Sequence, residues 1–568
     1  MKLAVPTSLQ LVLFSLLTAV ILLGAANLDM PWEQDQPAKA AQNHALIAWD
    51  FHLSDTPNLY RLDKFPLFYL ISSFLQSATE LGDYKAMNVL AIACGIIFFP
   101  AAALLSSRFF GATALLAFAA LLSCPAIFLT FIYGNEAALA LLFLSLSILS
   151  ALASNGSLAM ALVAGLLAGS AALSRIDYAV FIVVVPLFQL VSKSAPRLQM
   201  NPRSLRCAAT TLVTGFLLFA ACYGLLLRSA PIAGTFEHKF NLLQTGAYLA
   251  YGLGVFLVLP AVAGLIIQFK RNWLLGLLLI AVSSHALLYT WMFSSTKYVL
   301  PLFLAAAIFS AIGLTVIWAR RPFAVIALLV APWLLSITPF GVKWGQAGAL
   351  YFVPTDDGPL PSGAFLSFYR LVGEGFFQQR YIDEEEQIRK VAALLPELGD
   401  VAIIGFFNPQ TPMLVGAREG DFRLAERFRP NPSQPPEPAD QDVVMIKTSY
   451  LYPRRMSAEV QAWFRDALNS RSIRPLTNED SPFPDAIIIS RFADAPPGDG
   501  RLVSRISHLL ALGSGEQWLE RSVLLPELAG TTWIKRAGVW AASEKPTSAA
   551  RFYSLKSPQE ILAMNPVK

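Results

Sequence analysis

Residues Leu9–Ala41 read LQLVLFSLLTAVILLGAANLDMPWEQDQPAKAA. Leu9–Ala26 carries no charge and, at about 1.5 Å per helical residue, crosses nearly all of the roughly 30 Å hydrocarbon layer of a bilayer. Asp29, Glu33 and Asp35 follow at once, with Trp32 among them at the depth where aromatic side chains anchor a chain to the membrane surface. Lys2 precedes the apolar run, as in a secretion signal, but the run is longer than a usual signal core and no A-x-A site follows. It reads as a retained first helix that presents acid where it leaves the membrane.

The rest of the chain agrees. Of 568 residues, 55% are hydrophobic and 14% charged, and the mean hydropathy is +0.53, outside the balance of a water-soluble globular protein. Apolar runs recur near 8–26, 86–105, 111–132, 137–153, 157–173, 178–192, 207–227, 247–269, 272–293, 298–318 and 323–340, giving a polytopic α-helical membrane protein of about eleven spans. Alternate loops collect Lys2, Arg108, Lys193, Arg197, Arg203, Arg206, Lys270, Arg271, Arg320 and Arg321 without an acid. By the positive-inside rule that side faces the cytoplasm, so the net charge of +5 marks topology and does not call for nucleic acid. FPLFYLISSFLQSA, from Phe65, is too short to span and reads as an interfacial helix within a first outward loop, residues 29–85. Cys94, Cys124, Cys207 and Cys222 fall within or at the edge of apolar runs and indicate neither disulfides nor a metal site.

At residue 341 the composition turns to that of a soluble domain. The expected division is therefore a membrane part, 1–340, and a C-terminal soluble α/β domain, 341–568, on the outward side. DEEEQIRKVAALLPEL and MSAEVQAWFRDALNS have helical spacing, while VAIIGF, DVVMIKT and DAIIIS read as buried strands. Asp440 and Asp442 form a D-x-D ahead of a strand, without a Gly-rich phosphate loop, and read as a turn.

PAKAAQNHALIAW continues the acidic stretch as a helix, with Ala40, Ala41, His44, Ala45 and Ala48 towards one side. Pro37 in its first turn and Asp35 near its start suit a helix beginning there. On that ground alone Asp35 is a cap and Trp32 an anchor.

WEQDQPAKAA and DKFPLFYLISSFL resemble the acidic stretch and the K-P-P-L-like stretch of the polyprenyl-phosphate-dependent glycosyltransferases of the membrane GT-C fold, which include protein O-mannosyltransferases and lipid A aminoarabinose transferases. YGNEAALALL, ALSRIDYAVFIVVVPLF and SSTKYVLPLFLAAA extend the resemblance over about residues 10–320, all on one side of the membrane. This sequence departs from the family where Asp35-Gln36 replaces an Asp-Glu pair and Phe65 the first Pro, which leaves Asp35 or Glu33 as the essential acid.

The resemblance implies a membrane enzyme of the cell envelope, a hexosyl- or pentosyltransferase that inverts the sugar. It would move that sugar from a polyprenyl-phosphate donor to a glycan, lipid or protein at the periplasmic face of the inner membrane. Such transfer needs a base for the acceptor hydroxyl and cations for the departing phosphate. Asp35 is the expected base, with Glu33 as alternative and Glu136 as an auxiliary carboxylate. Lys64, Arg175, Lys297 and the Tyr298 hydroxyl are expected at the phosphate, although Lys297 also reads as a snorkelling lysine and Arg175 as an ion pair with Asp177. His238 and Lys239 stand in an outward loop suited to an acceptor contact or lid. Glu33, Asp35, His44 and His52 lack metal-ligand spacing, and no metal or other cofactor is expected. Two other readings are a transporter, against which the charges gather at loops and not at mid-span, and a non-catalytic scaffold for envelope glycan assembly.

Overall fold

The computed structural model describes residues 7–26, 28–29, 36–48, 66–226, 252–284, 299–336, 340–344, 350–354, 375–399, 401–405, 410–421, 424–430, 442–446, 473–477, 486–489, 532–536 and 539–543. The chain divides into two compact units. One comprises Met1–Asp29, Leu46–Trp344 and Gly363–Leu371, and the other Met30–Ala45, Gly345–Ser362 and Val372–Lys568.

The first unit is helical. Its elements are α1 (Thr7–Ala25), α3 (Pro66–Thr79), α4 (Asp83–Phe109), α5 (Ala114–Leu122), α6 (Pro125–Thr130), α7 (Glu136–Ala153), α8 (Leu158–Ser174), α9 (Phe181–Leu187), α10 (Pro202–Leu226), α11 (Val255–Ser283), α12 (Leu300–Trp318) and α13 (Pro322–Ser336). Among the described residues six of these, α1, α4, α7, α10, α11 and α12, are long and apolar enough to cross a membrane. The chain is a multi-pass membrane protein. Lipid-facing character shows on α1, whose Leu16 and Val20 are exposed, whereas α4 and α7 are largely enclosed.

One expected span contains a break, and one helix joins two expected runs across a kink; both have chemical causes. The run 111–132 is divided between α5 and α6 at Ser123 and Cys124, where Pro125 opens α6. Proline lacks the N–H that would continue the helix but fits its first turn. Within α11, Asn272 leaves helical geometry at φ −157°, ψ 89°. Its Oδ1 accepts from the Leu275 N–H, so it caps the following segment. The expected turn between 269 and 272 is present as this kink.

The core between α1, α4 and α5 is aromatic: Phe14 stacks on Phe118 at 4.4 Å between ring centroids, and Phe131 meets Phe98 at 4.6 Å. Where α11 crosses α12, small residues let the backbones touch, the commonest solution where water cannot drive association. A Cβ on Gly264 would lie 1.8 Å from the Phe309 carbonyl oxygen, and one on Gly313 would lie 2.1 Å from that of Pro260. Gly264→Ala is therefore expected to force the helices apart and to cost about 1–3 kcal/mol, read as a lowered thermal midpoint of the detergent-purified protein.

In the second unit α2 (Gln36–Ile47) forms where the alanine-rich segment predicts it. Its burial is not one-sided: Gln36, Lys39, Gln42 and Asn43 are enclosed along with Ala40, Ala41 and Ala45. An alanine stripe shows where close packing is possible, but it does not show that polar neighbours stay in water. A short strand, β1 (Phe340–Trp344), belongs to the first unit; the second continues with β2 (Leu350–Pro354), α14 (Gly375–Leu398), β3 (Val401–Gly405), α15 (Thr411–Glu419), α16 (Leu424–Arg427), β4 (Phe428–Pro430), β5 (Asp442–Ile446), β6 (Ile473–Thr477), β7 (Ala486–Ile489), β8 (Thr532–Arg536) and β9 (Val539–Ser543). Five strands join as β4-β3-β5-β7-β6. β3 is parallel to β4 and β5, and β7 is antiparallel to β5 and β6. Ile388, Val391 and Leu395 of α14 pack with Ile403 and Val444 of the sheet. The helix expected over MSAEVQAWFRDALNS lies outside the described residues.

Candidate functional site

The exit of α1 and the turn before α7 meet at one end of the helices of the first unit, and Asn88 shows how. Its side chain is fully buried, its Nδ2 donates to the Leu28 carbonyl at 2.9 Å, and its Oδ1 accepts from the Gly134 N–H at 3.0 Å. One amide thus ties the exit of α1, where the acidic stretch begins, to the turn that carries Glu136. Gly134 is needed for this approach, since a Cβ there would stand 2.5 Å from Asn88 Oδ1 and 2.7 Å from the Met87 carbonyl carbon. Lys85 pairs with Asp29 at 3.1 Å on the surface, and Gln76 donates to Asp83 at 2.7 Å, joining α3 to α4.

Behind the Gly134 turn lies a buried ion cluster. Asn135 caps α7 by accepting from the Ala137 N–H at 2.9 Å, and Glu136 fills the first turn, where the helix dipole favours negative charge. Arg175 ends the antiparallel neighbour α8, where the dipole favours a cation, and its extended backbone, φ −151°, ψ 119°, turns its side chain back. Arg175 Nη1 donates to Glu136 Oε1 at 3.0 Å. Nε and Nη2 donate to the two oxygens of Asp177 at 3.1 and 3.0 Å. Arg175 and Glu136 are 1% and 2% exposed, so these are desolvated charges, strong in mutual attraction and costly to separate.

Two carboxylates face one guanidinium, and the arrangement can fix the ends of α7 and α8 against each other. Of the two readings of Arg175 made from the sequence, the ion pair with Asp177 is present. Asp35, Glu33, Lys64, Lys297, Tyr298, His238 and Lys239 lie outside the described residues. α2 begins directly after Asp35, and α12 begins two residues after Tyr298.

Sequence reasoning missed three residues. Asn88 sits in an unremarkable apolar run, and only its polarity inside that run flags it. Asp177 was read as a partner of Arg175 and not as half of a clasp around it. Lys39, fully buried, was given no role from the sequence; an enclosed lysine is retained only where its charge is matched or removed. Among the described residues no cluster of His, Cys, Asp and Glu is arranged to hold a metal ion, and all four cysteines are free thiols.

No family model matches the chain, and no curated protein sequence does. Among solved structures the chain is similar to ArnT from Cupriavidus metallidurans in the apo state, with a TM-score of 0.52, 12% identity and coverage of 86% of this chain and 99% of ArnT. It is similar also to the same protein bound to undecaprenyl phosphate, with a TM-score of 0.50, 12% identity and coverage of 85% and 99%. At such identity the likeness speaks for architecture. The chain has the fold of the GT-C membrane transferases that its sequence resembles.

Proposed function

We propose that the chain is an integral membrane glycosyltransferase that takes a sugar from a polyprenyl-phosphate donor and passes it, with inversion, to a glycan, lipid or protein acceptor at the periplasmic face of the inner membrane. The observation that carries this reading is the buried Glu136–Arg175–Asp177 cluster, standing at the end of the helices from which the acidic stretch after α1 emerges. ArnT, which has the same fold, is known with undecaprenyl phosphate bound, and that supports a lipid phosphate as the leaving group. In this reading about eleven spans place residues 341–568 outside as an α/β domain.

The chemistry assigned to each residue is specific. Asp35, or Glu33 in its stead, takes the proton of the acceptor hydroxyl as that oxygen bonds to the anomeric carbon. The bond from that carbon to the phosphate oxygen breaks on the opposite face, which inverts the centre. Charge gathering on the phosphate is met by Lys64, Lys297 and the Tyr298 hydroxyl. Arg175, engaged by two carboxylates, holds Glu136, which orients the acceptor. His238 and Lys239 close over the acceptor. No metal is required.

Incubating the purified full-length protein with a panel of polyprenyl-phosphate sugars and acceptor glycans, lipids and peptides tests this reading. One donor is expected to be consumed, releasing polyprenyl phosphate at a rate unchanged by a metal chelator. Solute uptake into proteoliposomes with no donor consumed would instead establish a transporter.

A further inference from the structure

At the opposite end of the helices four loops meet around the turn that ends α4. Arg108 opens that turn. Lys193 Nζ lies 5.4 Å from the centroid of the Phe109 ring and donates to Asn155 Oδ1 of the α7–α8 turn. Arg271 Nη1 reaches the Phe110 carbonyl at 3.4 Å. It passes so close over Gly111 that a Cβ there would stand 1.7 Å from Nη1, and Gly111 itself has a φ of +74° that disfavours other residues. Asn272, next to Arg271, donates to the Ser192 carbonyl at 2.8 Å and to that of Ala195 at 3.3 Å. The segment bearing Lys193 is thereby fastened to the kink bearing Arg271. Arg203 packs beside Gly156, at 3.7 Å from a Cβ built there.

Acidic partners among the described residues do not account for these cations. From residue 86 to residue 355 the acidic residues are Glu136, Asp177 and Glu237 alone, and among the described residues neither Arg108, Lys193 nor Arg271 joins an ion pair with a carboxylate. Like charges held together in this way favour an anion between them. Burial first, and Arg108 second, pull the Lys193 ammonium below the ordinary lysine range, the direction expected of a cation fixed near another without a counter-charge.

Topology alone asks for positive charge at a cytoplasmic end; it does not ask for Arg271 on the Phe110 carbonyl and Lys193 over the Phe109 ring of one turn. The surroundings identify the anion. Leu198 and Met200, on the same loop as Lys193, are 59% and 60% exposed, and Trp273, beside Arg271, is 45% exposed. Apolar side chains presented next to fixed cations suit a ligand that is anionic at its head and hydrocarbon below it.

We propose that Arg108, Lys193 and Arg271 form a built site for the phosphate of an anionic phospholipid of the cytoplasmic leaflet, with Leu198, Met200 and Trp273 against its acyl chains. The ligand is recognised through charge-assisted contacts to phosphate oxygens. By binding the α4, α9–α10 and α11 loops together it would stabilise the folded state in proportion to its occupancy.

The test uses the full-length protein purified in a zwitterionic detergent. Retained lipid is read by mass spectrometry, and the thermal midpoint is followed on adding cardiolipin, phosphatidylcholine or inorganic phosphate. Cardiolipin is expected to be retained selectively and to raise the midpoint, while the other two leave it unchanged. Lys193→Gln and Arg271→Gln are each expected to weaken cardiolipin binding roughly tenfold, the loss of one hydrogen bond to a charged group. Arg320→Gln and Arg321→Gln, at the same end but on the α12–α13 turn, are expected to leave it intact. Arg108→Gln, at an exposed position, carries the same test should the Lys193 or Arg271 variant fail to fold. Equal retention of phosphatidylcholine, equal loss in the Arg320 and Arg321 variants, or unaltered binding in the corner variants would each overturn the proposal. Stabilisation by inorganic phosphate alone would overturn the lipid assignment.

Discussion

Asp35→Asn is expected to lower sugar transfer by roughly 10²–10⁴-fold, the usual contribution of a positioned general base, while the protein purifies with an unchanged thermal midpoint. The substitution keeps the shape and a hydrogen-bonding oxygen but removes the capacity to take a proton. If Asp35 served only to begin α2, asparagine, an equally good cap, would leave turnover intact. Glu33→Gln in parallel assigns the base. Loss confined to Asp35→Asn fixes it at Asp35, loss confined to Glu33→Gln moves it two residues back, and full activity in both removes the acidic stretch from the chemistry. The KM for the donor is expected to change little, because the base acts on the acceptor.

The second large effect concerns stability. Arg175→Ala takes the guanidinium away from Glu136 and Asp177, and breaking a buried pair by removing one partner costs about 3–5 kcal/mol. The cost is not the value of the interaction itself. Replacing the whole cluster, Arg175→Met with Glu136→Gln and Asp177→Asn, is therefore expected to recover most of the lost stability, because no uncompensated charge then stays buried. Thermal midpoints of the single and triple variants decide this: a triple variant as unstable as Arg175→Ala would show that shape, and not charge, holds α7 to α8. Activity separates the second role. A triple variant that is stable yet inactive ties the cluster to transfer, whereas full activity would reduce Glu136 and Arg175 to a strut.

Much of the fold could be read from single segments. α4, α7, α8 and α12 fall where apolar runs predict helices, because the free energy of moving a segment into hydrocarbon is a sum over its own residues. The turn at Lys270 to Asn272 was visible from its charge. The break before Pro125 was not drawn, although proline is a local signal, because the run stays apolar on both sides of it. In the second unit β3, β5 and β7 were legible as short apolar runs, while β6, with Arg474 and Pro475 inside it, carried no such pattern.

The site was legible in part, and the boundary falls at the distance between partners in the chain. Arg175 and Asp177 are two residues apart, and the pair was seen. Glu136 and Arg175 are 39 residues apart, and Asn88 reaches 60 residues back to Leu28 and 46 forward to Gly134. By itself the sequence determined that the chain crosses a membrane several times, and that acidic and basic residues gather in different connecting segments, since partition energies and loop charges act segment by segment. Only the tertiary structure decided which polar groups share a buried space. That choice depends on which helix faces pack together, and one glycine such as Gly134, permitting close approach, selects a partner that no local pattern names.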